Sequence, residues 1–389
     1  MTSRKPQDLI KENWSSLCVT AVLGLRPIEL CKIKLFGYIY VIIILILYYT
    51  QIYFVNEEVN KVYDYLNMIS LEIYVRIHRV KYYINVIVLT LMIITSVLKY
   101  ELATKNVYSS LNEIDRKLKL LNTKLNYEKY MRENIIQVVG IIMFTILIGL
   151  TEYFSFKNAS SNFTMFNLMW FGNQFPQIVN SAAIVTFVII ISDCCRRHQI
   201  INDLIYKLRN IDKEITNNNN TDVISQEMHN GLKLKLLRQI YEILSNTVMI
   251  INEAYGFMLI LTFITHFIGI SVHLNTIYMT FGEQNYTVDL IVDFLWACFY
   301  FGKLIYIIYA CQSFEREGKR ASKLLHECRI DSDNNLLKQE TESFARQVRN
   351  VDIKITASNL FIIDYSALWK IVLSQTAYVF FLSQFTNTK

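Results

Sequence analysis

Apolar runs of roughly 17 to 30 residues recur along this chain, and each is long enough to cross about 30 Å of hydrocarbon as a helix. The runs are 35–55, 82–98, 135–156, 163–192, 254–281, 290–311 and 365–385. The first, second, fourth and fifth contain no Asp, Glu, Lys or Arg. A soluble domain has no use for such runs, and only a helix satisfies every backbone polar group inside lipid. The 389 residues hold 3 Pro and 11 Gly, which favours long helices over a turn-rich sheet. The apolar share, 53%, differs little from that of soluble proteins, so the clustering of these residues is what decides. The expected fold is an all-α membrane protein of seven transmembrane helices. A net charge of +6, scattered along the chain, is too small to suggest a nucleic-acid binder, and no nucleic-acid partner is expected.

Basic residues set the orientation, because translocating Lys and Arg is costly. Segments 1–34, 99–134, 193–245 and 312–358 are rich in them, whereas 157–162 holds only Lys157 and 282–289 holds none. The loop 56–81, with Lys61, Arg76, Arg79 and Lys81, breaks the pattern. The expected topology is inverted, with the N-terminus inside and the C-terminus outside. Sequons at Asn158, Asn162 and Asn285 fall in the loops assigned outside and are expected to carry glycans. Those at Asn13 and Asn219 fall inside and should stay bare. None of the seven Cys lies in an outer loop, so no external disulfide framework is expected. The pair Cys194-Cys195 reads either as a palmitoylation site or as two reduced thiols.

The cytoplasmic segments carry helical stripes: Leu111, Ile114, Leu118, Leu121 and Leu125; Leu204, Leu208, Ile211 and Ile215; Phe344, Val348, Val351 and Ile355. They predict helices that extend spans two, four and six. The stripes either pack within one chain or form seams between subunits. No Walker loop, HExxH, GxSxG or paired CxxC is present, so no enzymatic chemistry, cofactor or metal is expected.

Polar groups inside spans mark candidate sites, since each is costly to bury. Asp293, Trp296 and Tyr300 share one face of the sixth run. A carboxylate beside two aromatics can bind a hydroxyl-rich or cationic molecule. Asp293 can equally be a hydrated residue at the outer membrane edge. Glu152 and Tyr153 end the third run, Trp170 starts the fourth, and His266 lies within the fifth, where a hydrogen bond to a neighbouring helix is the simpler role. Lys303 and Lys370 are also intramembrane by position, and Pro176 predicts a kink in the fourth run.

The chain closes with Ala377-Tyr378-Val379-Phe380-Phe381-Leu382-Ser383-Gln384-Phe385 and four further residues. This resembles the C-terminal signature of the insect gustatory receptors: Thr-Tyr, five apolar residues, then Gln-Phe. Tyr378, Gln384 and Phe385 match, Ala377 replaces the Thr, and Ser383 is a polar substitute among the five. Phe361 and Asp364-Tyr365 resemble the family's approach to this helix, and Leu23-Gly24-Leu25-Arg26-Pro27 is similar to its Gly-Leu-x-Pro stretch.

The resemblance implies a tastant-gated cation channel in the plasma membrane of sensory neurons. It implies a tetramer of identical or related subunits, passing monovalent and divalent cations. Segment 1–34 would be a cytoplasmic lead-in, 35–311 the six spans with the ligand pocket, 312–364 the cytoplasmic anchor, and 365–389 the pore helix and outer tail. Ala377, Phe381 and Gln384 share a face and are the expected pore stripe, with Tyr378, Leu382 and Phe385 packing behind it. Phe381 would close the pore by dewetting, and Gln384 would form a hydrated ring outside it. Receptors of the sweet branch resemble one another in an acidic residue after the signature Tyr; Val379 stands there, so a bitter or other plant-derived molecule is preferred, with fructose-type ligands left open. An odorant receptor subunit and a secondary transporter are the alternatives, the latter disfavoured because no internal inverted repeat is visible.

Overall fold

The computed structural model describes residues 12–25, 34–69, 72–156, 163–217, 223–280, 287–331, 335–351 and 353–386. The helices are α1 (Trp14–Val22), α2 (Lys34–Ile69), α3 (Glu72–Thr95), α4 (Glu101–Leu120), α5 (Tyr127–Phe156), α6 (Phe163–Asn217), α7 (Val223–Thr280), α8 (Thr287–Asp331), α9 (Asn335–Asn350) and α10 (Tyr365–Thr386). A π-helical turn, Ser96–Tyr100, joins α3 to α4. The strands β1 (Thr356–Ala357) and β2 (Phe361–Ile362) form a small antiparallel hairpin before α10.

Six helices, α2, α3 and α5 to α8, contain segments long and apolar enough to cross a membrane. The seventh expected run forms α10, which has the length, 22 residues, but is not one of the six. Lys370, Ser374, Gln375 and Thr376 interrupt its apolar run. Burial ranks the spans: 83% of the apolar window of α6 is inside the protein against 17% for α2. Helix α6 is therefore the axis around which the others pack, and α2 is a peripheral helix. Pro176 sits within α6, which continues through it, at the loss of one backbone hydrogen bond.

Helices α6, α7 and α8 run far past their apolar windows, to 217, from 223 and to 331 respectively. Here the amphipathic stripes find their partners within the same chain. Leu111, Ile114 and Leu118 of α4 are fully buried, and α4 packs on α7. Phe344 and Val348 of α9 are buried where α9 meets α7 and α8. Packing within one chain accounts for the buried part of these stripes among the described residues. The side chains of Ile211 and Ile215 lie outside the described residues. Cys194 and Cys195 are buried free thiols, so they are not exposed for acylation.

The hairpin is fastened to α7. Asn252 accepts a hydrogen bond from the Thr356 amide (3.0 Å) and donates one to the Lys354 carbonyl (2.8 Å). Gly256 lies under the turn, and a Cβ there would stand 2.5 Å from the Ser358 amide nitrogen. Ser358 and Asn359 both hold positive φ, so the turn is tight and its close approach to α7 requires glycine.

Candidate functional site

The expected site residues lie at one end of the bundle, where α3, α5, α6, α7 and α8 meet. Asp293 is only 7% exposed, so it is not a hydrated residue at the membrane edge. Its Oδ1 lies 2.6 Å from His273 Nδ1, and His273 Nε2 lies 2.8 Å from Lys81 Nζ. A lysine ammonium can only donate, so Nε2 accepts and Nδ1 carries the proton given to Asp293. The three residues form a relay from α8 through α7 to α3, with a neutral imidazole in the middle.

The aromatic pair lies beside this relay. The rings of Trp296 and Tyr300 stack on His273 at centroid distances of 5.9 and 5.8 Å. Lys81 Nζ stands 5.5 and 5.6 Å from the same two rings. The cation expected from a ligand is thus already supplied by the protein. Tyr300 is pressed against α7, where a Cβ on Gly269 would stand 2.8 Å from its ring. His266, one helical repeat below His273, meets the Tyr300 ring edge-on at 5.4 Å and bonds the Thr262 carbonyl through Nδ1 at 2.7 Å.

Glu152 on α5 accepts from Gln174 Nε2 (2.6 Å) and Asn173 Nδ2 (3.3 Å) of α6, and its charge acts on Lys81. Tyr153 and Trp170 make a separate aromatic group with Phe166, at 5.3 to 5.4 Å. The Trp170 indole donates to the Gly149 carbonyl at 2.9 Å. The structure therefore brings Asp293, Trp296, Tyr300, His266 and Glu152 together, and sets Tyr153 and Trp170 to one side. Asn158, Asn162 and Asn285 lie outside the described residues.

Sequence reasoning missed Lys81 and His273. Lys81 sits one residue before the second predicted run and counts there as a loop charge. His273 is seven residues after His266, and that spacing, which puts both on one face of an uncharged helix, was the available signal.

At the opposite end lies a second polar cluster that sequence reasoning also missed. Arg197 is buried and makes a bidentate pair with Asp115, both bonds 2.8 Å. Arg196 bonds Asp193 (2.9 Å) and Glu133 (2.8 Å) and lies 3.5 Å from Glu12. Asn13 bonds Asp193 and Asn134 at 2.9 and 3.0 Å, so α1 is locked into the bundle and this sequon asparagine is buried. Burial, and secondarily the Asp193 carboxylate, hold the Glu12 carboxyl well above the usual glutamate range.

On the last helix, Gln375 is buried against α7. Its amide donates to the Phe267 carbonyl and its Oε1 accepts from Ser271, both at 2.9 Å. Ala377, Phe381 and Gln384 are on the exposed side of α10, whereas Tyr378 is partly covered. The side chains of Leu382 and Phe385 lie outside the described residues.

A bundle of membrane-length helices around a buried polar and aromatic site defines a multi-pass membrane protein with a candidate binding pocket. The chain belongs to the 7tm chemosensory receptor family, whose model matches residues 17–388. It is 23% identical over 161 residues to the gustatory receptor for sugar taste 43a of Drosophila melanogaster. That match spans 41% of this chain and 37% of the relative, little more than a third of its length. The fold is similar to that of the olfactory receptor OR5 of the insect Machilis hrabei, with a TM-score of 0.67 at 10% identity, covering 96% of this chain and 98% of that one. The same receptor in complex with eugenol gives 0.57 at 11% identity, covering 97% and 99%.

Proposed function

We propose that this chain is a subunit of a ligand-gated cation channel in the plasma membrane of a sensory cell. A small plant-derived molecule binds at the α3–α5–α6–α7–α8 site, and α10 lines a pore shared by four subunits. One observation carries the reading. Gln375 of α10 is bonded to Phe267 and Ser271, which lie on α7 between the two site histidines, His266 and His273. A rearrangement of α7 at the site is thereby passed to α10 through two hydrogen bonds. The exposed polar and apolar face of α10, with Phe381 57% exposed and Gln384 beyond it, supports a helix that is completed by copies of itself.

The names of the relatives also support a small neutral ligand: one receptor is named for sugar taste and the other has been solved with eugenol. The expectation of a bitter molecule rested on Val379 alone, which belongs to α10 and not to the site. Its wide fold similarity to OR5 keeps an olfactory role as the second reading. Expressing the chain alone and recording current tests the channel. Ligand-evoked cation current is expected, and saturable ligand uptake without conductance would instead establish a transporter.

A further inference from the structure

A groove of about 830 Å³ runs between α7, the β1–β2 hairpin and the first turns of α10. Exposed Ile264 and Ile362 stand on its walls, so it opens to whatever surrounds the bundle. Contacts along α7 fix the order of its residues. The hairpin is bonded to Asn252 and passes over Gly256, the Phe361 ring meets Phe263 at 5.3 Å, and Gln375 bonds Phe267 and Ser271. Helices α7 and α10 therefore run side by side in one direction, away from the hairpin. Asn359 and Asp364 line the hairpin end of the groove, and Phe267, Ile268 and Ile371 line the far end. Lys370 stands between them, six residues after Asp364 and roughly 9 Å further along the helix axis.

The two ends of the groove differ in kind, and neighbouring residues set their depth. Tyr365 and Trp369 are exposed on the same first turns of α10. Amphipathic rings of this sort settle at the headgroup level of a bilayer, which puts the hairpin end at the membrane surface and the far end among the acyl chains. Asp364 caps α10, its Oδ1 accepting from the Ala367 amide at 2.9 Å, and its second carboxylate oxygen takes no part in that bond. Lys370 is exposed, and among the described residues no hydrogen bond or ion pair joins it to another side chain. A cation at this depth is costly without an anion beside it, and its flexible stem can carry the ammonium back toward the headgroups.

We propose that this groove holds one zwitterionic phospholipid, with its phosphate on Lys370, its ammonium on Asp364 and an acyl chain along Phe267, Ile268 and Ile371. Such a lipid carries its ammonium on the water side of its phosphate and its chains on the other side. That order is the order of the groove: carboxylate, lysine, apolar wall. Lysine and phosphate make a charge-assisted hydrogen bond, the usual means by which a basic pocket beside membrane helices takes a lipid headgroup. An anionic lipid without an ammonium sets a negative charge near Asp364 and leaves that carboxylate unmatched. A soluble phosphate compound has nothing to lay on the apolar wall. The leaflet is the inner one in the orientation expected from the basic loops. A lipid seated there packs α10 against α7 beside the Gln375 bonds.

The test is native mass spectrometry of the purified full chain, stripped of its own lipid and titrated with lipid in mixed micelles. Phosphatidylethanolamine and phosphatidylcholine should bind saturably, phosphatidylglycerol and diacylglycerol more weakly, and phosphoethanolamine, the free headgroup, not measurably. Lys370→Met should weaken phosphatidylethanolamine binding by roughly tenfold, the loss of one charge-assisted hydrogen bond, and Lys370→Arg should keep it. Asp364→Asn retains a good N-cap, so α10 still forms, and it should move the preference from phosphatidylethanolamine toward phosphatidylglycerol. Phosphatidylethanolamine binding untouched by Lys370→Met, or a headgroup preference untouched by Asp364→Asn, overturns the proposal. So does an assembled chain that takes up no phospholipid, since a second copy then covers the groove. Binding is read without current or tastant, so a chain that binds the lipid yet conducts nothing defeats only the channel reading. A glycan on Asn219 would move the lipid to the outer leaflet and leave its site unchanged.

Discussion

Arg197 and Lys303 are both buried basic side chains, and the arginine is held by a carboxylate. The fork of Arg197 meets Asp115 twice at 2.8 Å, and its Nη1 also donates to the Asp193 carbonyl. Removing one partner of such a pair strands the other charge, which costs about 3–5 kcal/mol. Arg197→Met should therefore lower the thermal midpoint strongly, and adding Asp115→Asn to it should restore most of the loss. Glu12 supplies a test of opposite character. Its folded-state pKa is raised, so between the ordinary glutamate range and that higher value the folded chain holds a proton that the unfolded chain has released. Stability then falls as pH rises through this window. Unfolding midpoints of the wild type should drop between about pH 5 and about pH 8, and Glu12→Gln should remove that part of the slope. These residues were poorly legible in the sequence. Arg196-Arg197 counted only as charges that orient the chain, because nothing local in the sequence predicts a carboxylate 82 positions away.

At the scale of elements, the long helices were legible from periodicity and from the scarcity of Pro and Gly, and their extension past the apolar windows followed from the stripes. Helix α10 is the informative exception. Its polar residues at 370 and 374–376 dilute its apolar character, and one of them, Gln375, makes the bonds that dock it on α7. Gln375→Leu removes both bonds while keeping an apolar contact. Ligand-evoked current should fall by about tenfold or more at a fixed ligand dose, given the net worth of two hydrogen bonds. Ligand binding to the purified chain should be nearly unchanged. The opposite face carries the gate expected from the spacing of Ala377, Phe381 and Gln384. Phe381→Ser should raise ligand-free current, since a polar ring no longer dewets the constriction. A silent Phe381→Ser channel at the cell surface, with a leaking Leu382→Ser channel, would move the pore to the other face.

For the whole molecule, the distribution of Lys and Arg predicts its orientation in the membrane. Asn158 or Asn285 should carry a glycan removable by an endoglycosidase, and Asn219 should not. A glycan found on Asn219 would invert the topology. The sequence by itself determined the class of protein, because apolar run length and backbone satisfaction in lipid leave helices as the only solution for these segments. It also determined six of the seven candidate spans and the face shared by Asp293, Trp296 and Tyr300, since helical spacing alone puts these on one side. Only the tertiary structure decided what that face meets. It turned Asp293 from an expected site carboxylate into the end of a relay through His273 to Lys81, and it set His266 against the Thr262 carbonyl and the Tyr300 ring below it. Contacts between helices depend on rotation and depth, and a linear sequence sets neither until the helices pack.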